Sequence, residues 1–120
     1  VVVLSVTRHR VADGEQATFL ARAREALDVL RSRPGFVAAT VGRSTDDAHL
    51  FVIATTWDDV GSFRRALSSF EARVTAVPLL STAIGEPTAF ERLLDASDPA
   101  LTVRTSDRAP DADDGDRVRG

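Results

Sequence analysis

Two runs of this chain, residues 36–43 (FVAATVGR) and 49–57 (HLFVIATTW), are apolar at odd and even positions alike. Each is β-rich and too short for a buried helix, so each reads as a strand. Successive side chains of a strand point to opposite faces. Strict alternation therefore sets Phe36, Ala38 and Thr40 against Val37, Ala39 and Val41, and Leu50, Val52 and Ala54 against Phe51, Ile53 and Thr55. A sheet that is apolar on both sides must be covered on both. Helices can cover one. A second copy of the chain is expected over the other, which makes a homodimer the economical assembly.

The remaining segments supply the helices. Residues 1–10 open with VVVLSV and read as a first strand. Phe19, Leu20, Ala23, Ala26, Leu27 and Leu30 then recur with helical period, behind Asp13 and Gln16 at capping-box spacing, and Pro34-Gly35 stops the run. Polar turn residues 44–48 separate the two apolar strands as a hairpin. Asp58-Asp59 are expected to cap a second helix through Val60, Phe63, Leu67 and Phe70. Residues 71–84 admit either a short helix begun by Pro78 or an extended stretch, and residues 87–93 read as a last strand. The order β-α-β-β-α-β predicts an α+β, ferredoxin-like fold: a four-stranded antiparallel sheet with both helices on one face.

Charge divides the chain. Residues 95–120 hold seven Asp and four Arg and so carry the whole net charge of −3, whereas residues 1–94 are balanced. One folded domain over 1–94 and a disordered acidic tail over 95–120 are expected. Cys and Lys are absent, which removes disulfides, thiolate nucleophiles, Schiff-base lysines and a P-loop lysine. With a pI near 5.3 and no basic stripe, nucleic acid is not an expected partner. No apolar run approaches the ~20 residues of a membrane span. The opening segment has neither the basic region nor the cleavage site of a signal peptide, so a cytoplasmic location is the default expectation.

The helix-ending Arg33-Pro34-Gly35-Phe36, the hairpin, the strand end Thr55-Thr56-Trp57 and the Asp-initiated helix that follows together resemble the antibiotic biosynthesis monooxygenase domain. Residues 76–91 are similar to an actinobacterial branch of it. The resemblance spans residues 1–93 and implies a dimeric α/β barrel with a ligand cavity between sheet and helices. Within that family some members oxidise aromatic polyketides without metal or flavin, some degrade haem, and many have no known activity. Haem-degrading relatives add an Asn on the first strand and a His on the second helix. Here the first strand offers Ser5 and Thr7, and no His follows Trp57. The acidic residue common two positions before the tryptophan is Thr55.

Cofactor-free oxygenation asks for a base, a water-excluding cavity and a donor for the developing anion. His9 is the base candidate, since imidazole titrates near neutrality unaided. Its strand-end position predicts a ring in solvent. Trp57 is expected either to stack on a planar ligand or to seal the sheet edge. Thr7, on the face of His9, with Thr55, Phe63 and Arg64 completes the expected substrate-binding set. No metal and no cofactor is expected, because two His residues forty apart with no Cys are a poor metal signal. The function expected is that of a cofactor-independent monooxygenase acting on a small aromatic or polyketide-like molecule. The alternative is a non-catalytic small-ligand binder or dimerising accessory protein of the same fold.

Overall fold

The computed structural model describes residues 1–108. Its elements are β1 (Val3–Arg10), α1 (Gln16–Leu30), β2 (Phe36–Arg43), β3 (Leu50–Trp57), α2 (Val60–Ser68), α3 (Phe70–Thr75), α4 (Val77–Leu80) and β4 (Ala89–Glu91). The strands form one antiparallel sheet in the order β2-β3-β1-β4. This is the ferredoxin-like α+β arrangement, and within the chain the sheet is open; it does not close into a barrel.

The hairpin follows from its turn residues. Ser44 Oγ accepts from the amides of Asp46 and Asp47, both at 3.1 Å, and Asp47 Oδ1 accepts from the His49 amide at 3.0 Å. These side chains satisfy turn amides that no strand partner reaches. Asp59 caps α2 as expected, accepting from the Ser62 amide at 2.7 Å. That bond holds the Asp59 carboxyl below its ordinary pKa.

Three local expectations change. The capping box at α1 does not form: Glu15 is the N-cap without a side-chain bond, and Asp13 accepts instead from His49 Nε2 at 2.7 Å. The second helix does not run through Phe70. Ser69, with φ −65° and ψ 151°, ends α2 and starts α3, donating to the Ala66 carbonyl and accepting from the Ala72 amide. The break turns Phe70 outward, where it is 77% exposed, and resolves the ambiguous segment as α3 followed by a Pro-led α4. In β2 a register shift between Phe36 and Ala38 breaks the strict alternation. Phe36 consequently lies on the helix side, edge-on to Trp57, and Ala38 and Thr40 pair with Thr56 and Ala54 on the other face.

The core lies between the sheet and one layer of helices. Phe51, Ile53 and Trp57 of β3 pack against Phe19, Ala23, Ala26 and Leu30 of α1 and against Ala66, Ala72, Ala76 and Leu79. The many buried alanines let the helix backbones sit close to the sheet and to each other. A second close approach ties the turn between α1 and β2 to the start of α2. Gly35, at φ +86°, turns the chain into β2, its carbonyl accepts from the Asp58 amide at 2.8 Å, and a Cβ there would lie 2.3 Å from Ser62. Only glycine fits such a position.

On the opposite face Leu4, Val6, Val52 and Ala54 are half-buried and Phe90 is 49% exposed, with no helix of the described residues over them. Arg8 and Arg10 border this face, paired with Glu86 and Asp47 at 2.7 Å. Both pairs are exposed to solvent, which screens them, so they add little to stability. Residues 95–108 fold back by local turns, with the Arg104 amide donating to the Leu93 carbonyl and Ser106 to Glu91; the rest of the acidic segment lies outside the described residues. Among the described residues no helix is long and apolar enough to cross a membrane.

Candidate functional site

Alternation along β1 sends Val3, Ser5, Thr7 and His9 toward the helices, and along β3 it sends Phe51, Ile53, Thr55 and Trp57 the same way. The register sets Ser5 opposite Thr55, Thr7 opposite Ile53 and Val3 opposite Trp57. Thr7 and Thr55 are therefore diagonal cross-strand neighbours on one face. A polar stripe of Ser5, Thr7, His9, Thr55 and Trp57 results, inside a layer that is otherwise apolar. All five are buried.

His9 is not in solvent. It is 1% exposed, because α1 and the turn after α4 close over the end of β1. Its ring lies 5.4 Å from that of Phe19, Nε2 is 2.8 Å from Thr7 Oγ1, and Nδ1 is 3.0 Å from Thr82 Oγ1. Burial pushes its pKa below the ordinary 6.5, so the ring is neutral near pH 7. At the other end of the stripe Trp57 is fully buried and donates its indole N–H to Thr55 Oγ1 at 2.9 Å. Phe36 and Phe63 flank the indole at 5.4 and 6.1 Å between centroids. Thr55 uses a lone pair on the indole, and its own hydroxyl hydrogen meets no acceptor among the described residues. The Ser5 hydroxyl, directly opposite, likewise makes no side-chain hydrogen bond there.

Five of the six residues singled out from the sequence thus come together: His9, Thr7, Thr55, Trp57 and Phe63. Arg64 does not join them. It lies exposed on the outer side of α2, while Arg65 reaches Ser62 Oγ at 3.3 Å. Ser5 and Thr82 belong to the constellation and were not singled out. Thr82 stands 73 residues from His9, past a segment whose structure local pattern left open, so no spacing signal joins the two.

Volume alone does not mark the site. A groove of about 940 Å³ runs between α1 and β2 and touches none of the stripe. A groove of about 470 Å³ lined by Arg10, Glu15, Phe19, Arg22, Leu79 and Thr82 adjoins it, because Phe19 and Thr82 are the side chains that lie against the His9 ring. No cluster of three or more His, Cys, Asp or Glu side chains is placed to hold a metal ion among the described residues.

The family model described as antibiotic biosynthesis monooxygenase matches residues 2–77, from the first strand through α3. The chain belongs to the antibiotic biosynthesis monooxygenase family. Among solved structures it resembles SnoaB, a cofactor-independent oxygenase from Streptomyces nogalater, with 27% identity and a TM-score of 0.68 over 79% of this chain and 96% of that one. It also resembles a conserved protein from Methanosarcina mazei (16% identity, TM-score 0.64, covering 76% and 92%). Rv0793 from Mycobacterium tuberculosis is similar as well (13%, 0.65, covering 80% and 99%). At those two lower identities the likeness is one of fold. No curated protein sequence matches. For this monooxygenase-family chain the polar stripe occupies the surface between sheet and helices.

Proposed function

We propose that this chain is a cofactor-independent monooxygenase acting on a small aromatic or polyketide-like substrate, with His9 as base and Trp57 beside the substrate ring. The carrying observation is a buried, neutral imidazole with a hydroxyl on each ring nitrogen. A hydroxyl can donate or accept. His9 can therefore take up a proton in a water-excluding interior and keep both hydrogen bonds, which a general base in a closed site requires. Thr55 and Ser5 supply further O–H donors on the same face, 4% exposed each, for the oxygen on which negative charge develops. Thr7, Phe63 and the Trp57 ring complete the walls. The match to an oxygenase named as cofactor-independent supports the same chemistry.

For anthrone as test substrate the reaction balances without a reductant. His9 removes a proton from the CH₂ group, and the resulting anion reacts with O₂. Four electrons pass from carbon to oxygen, one oxygen atom becoming the new quinone carbonyl and the other leaving as water. Entry requires the helix layer to open, and the short α3–α4 segment, followed by Thr82 on the His9 ring, is the part proposed to move. The uncovered sheet face is proposed to bind a second copy, completing the barrel as a homodimer; the ligand is small and apolar, and no metal or organic cofactor is needed.

Oxygen consumption with anthrone tests this. The wild-type chain is expected to exceed the solvent rate, and His9→Gln to lose on the order of 100-fold. The dense packing of the stripe, with Trp57 wholly enclosed, favours a second reading as a non-catalytic ligand binder. Tight binding of anthrone with no oxygen uptake would establish the second reading and remove the first.

A further inference from the structure

We infer that Thr82, an exposed residue just past α4, is a positioning residue that holds the buried His9 in its Nδ1–H tautomer and so leaves the Nε2 lone pair facing Thr7. This rests on the reading of His9 as the base. The argument is one of donors and acceptors. Thr82 Oγ1 lies 2.7 Å from the Leu79 carbonyl, which can only accept, so the hydroxyl hydrogen is engaged there. Toward His9 Nδ1 at 3.0 Å, Thr82 then presents only lone pairs, and Nδ1 must carry the hydrogen. A neutral ring protonated at Nδ1 bears a lone pair at Nε2, which accepts from Thr7 Oγ1 at 2.8 Å.

The opposite tautomer is the poorer arrangement. Thr82 would have to turn its hydrogen from the Leu79 carbonyl to Nδ1, and Thr7 would have to turn its own to the Ile53 carbonyl at 3.4 Å. One short bond is given up and one long bond gained. When Nε2 gains a proton, by contrast, only the Thr7 hydroxyl has to rotate, and Thr82 keeps both of its bonds. The uptake of a substrate proton through Thr7 then runs in steps that balance. The substrate X–H proton passes to Thr7 Oγ1 as the Thr7 hydrogen passes to Nε2, and the electron pair of the broken X–H bond stays on the substrate. Thr82 also lines the groove of about 470 Å³, so it can be altered from the surface without repacking the core.

Nitrogen-15 NMR of the histidine side chains tests the inference in the full chain. His49→Gln simplifies the spectrum to one imidazole, since His49 lies near the surface on Asp13. In that background His9 is expected to show a protonated Nδ1 and a bare Nε2. Thr82→Val removes the acceptor and is expected to move the population toward Nε2–H, while Thr82→Ser restores the Nδ1–H form. With anthrone, Thr82→Val is expected to lower kcat on the order of tenfold with KM unchanged, and Thr82→Ser to recover it. A His9 already protonated at Nε2 in the His49→Gln background, or a tautomer unmoved by Thr82→Val, overturns the inference. Because the tautomer is read without substrate or oxygen, the expected NMR pattern together with no oxygen uptake would remove the proposed reaction and leave the role of Thr82 in setting the tautomer standing.

Discussion

Trp57 donates its indole N–H to the hydroxyl of Thr55, two residues earlier on the same strand and the same face, at 2.9 Å. Both are buried, so the bond is the means by which the indole nitrogen is satisfied away from water. Replacing Thr55 by Val keeps the shape and orphans the donor, which is expected to destabilise the fold by about 1–3 kcal/mol. In the Thr55→Val/Trp57→Phe double variant no donor is left to orphan. Its loss is expected to fall short of the sum of the two single losses. Urea unfolding followed by circular dichroism measures all three. A Thr55→Val midpoint equal to wild type would show that the bond carries nothing.

The buried His9 ties stability to pH. Its folded pKa is depressed by burial, and the unfolded ring titrates near 6.5. Between the depressed value and 6.5 the unfolded chain holds more protons than the folded one, so stability falls as pH falls through that window. Above 6.5 the ring is neutral in both states and contributes no slope. The steepest dependence from one such group is ~1.4 kcal/mol per pH unit. Unfolding midpoints at pH 7.5 and 5.5 are expected to differ more in wild type than in His9→Gln. Equal pH dependence in the two proteins would contradict the assignment.

Gly35→Ala meets two obstacles. The backbone has φ +86°, and the new methyl would stand 2.3 Å from both Cβ and Oγ of Ser62. Backbone strain and overlap together are expected to destabilise the protein by about 2–4 kcal/mol. Adding Ser62→Gly removes the overlap and leaves the strain, so the double variant is expected to regain part of the loss. Thermal unfolding of the three variants checks the partition.

The uncovered sheet face predicts an association. Val52 lies on it beside Val6 and Ala54. A second copy seated there would bury this apolar surface, and a charge at its centre would oppose that burial. Sedimentation is expected to show a dimer for wild type and a folded monomer for Val52→Asp. Wild-type chain sedimenting as a folded monomer at micromolar concentration would remove the proposed assembly.

Much of this fold is legible in local pattern. The apolar runs at 36–43 and 49–57 dictate the two paired strands β2 and β3 at one side of the sheet. Period-3.6 spacing from Phe19 to Leu30 places α1, and the Asp59 cap places α2, because each signal acts within a turn of chain. Alternation alone puts His9 with Thr7, and Thr55 with Trp57, on common faces, since a strand sends every second side chain the same way.

Tertiary structure decided what spacing could not carry. Whether His9 ends a strand in solvent or beneath a helix depends on α1 and on Thr82, which is distant in sequence, and solvation sets its charge. The bulge at β2 moved Phe36 onto Trp57, and the Ser69 kink turned Phe70 outward; both are single-residue backbone choices made by packing. Composition and period determine which side chains share a face. Only the assembled layers determine which face is dry, and therefore which polar groups are held where their proton chemistry differs from that in water.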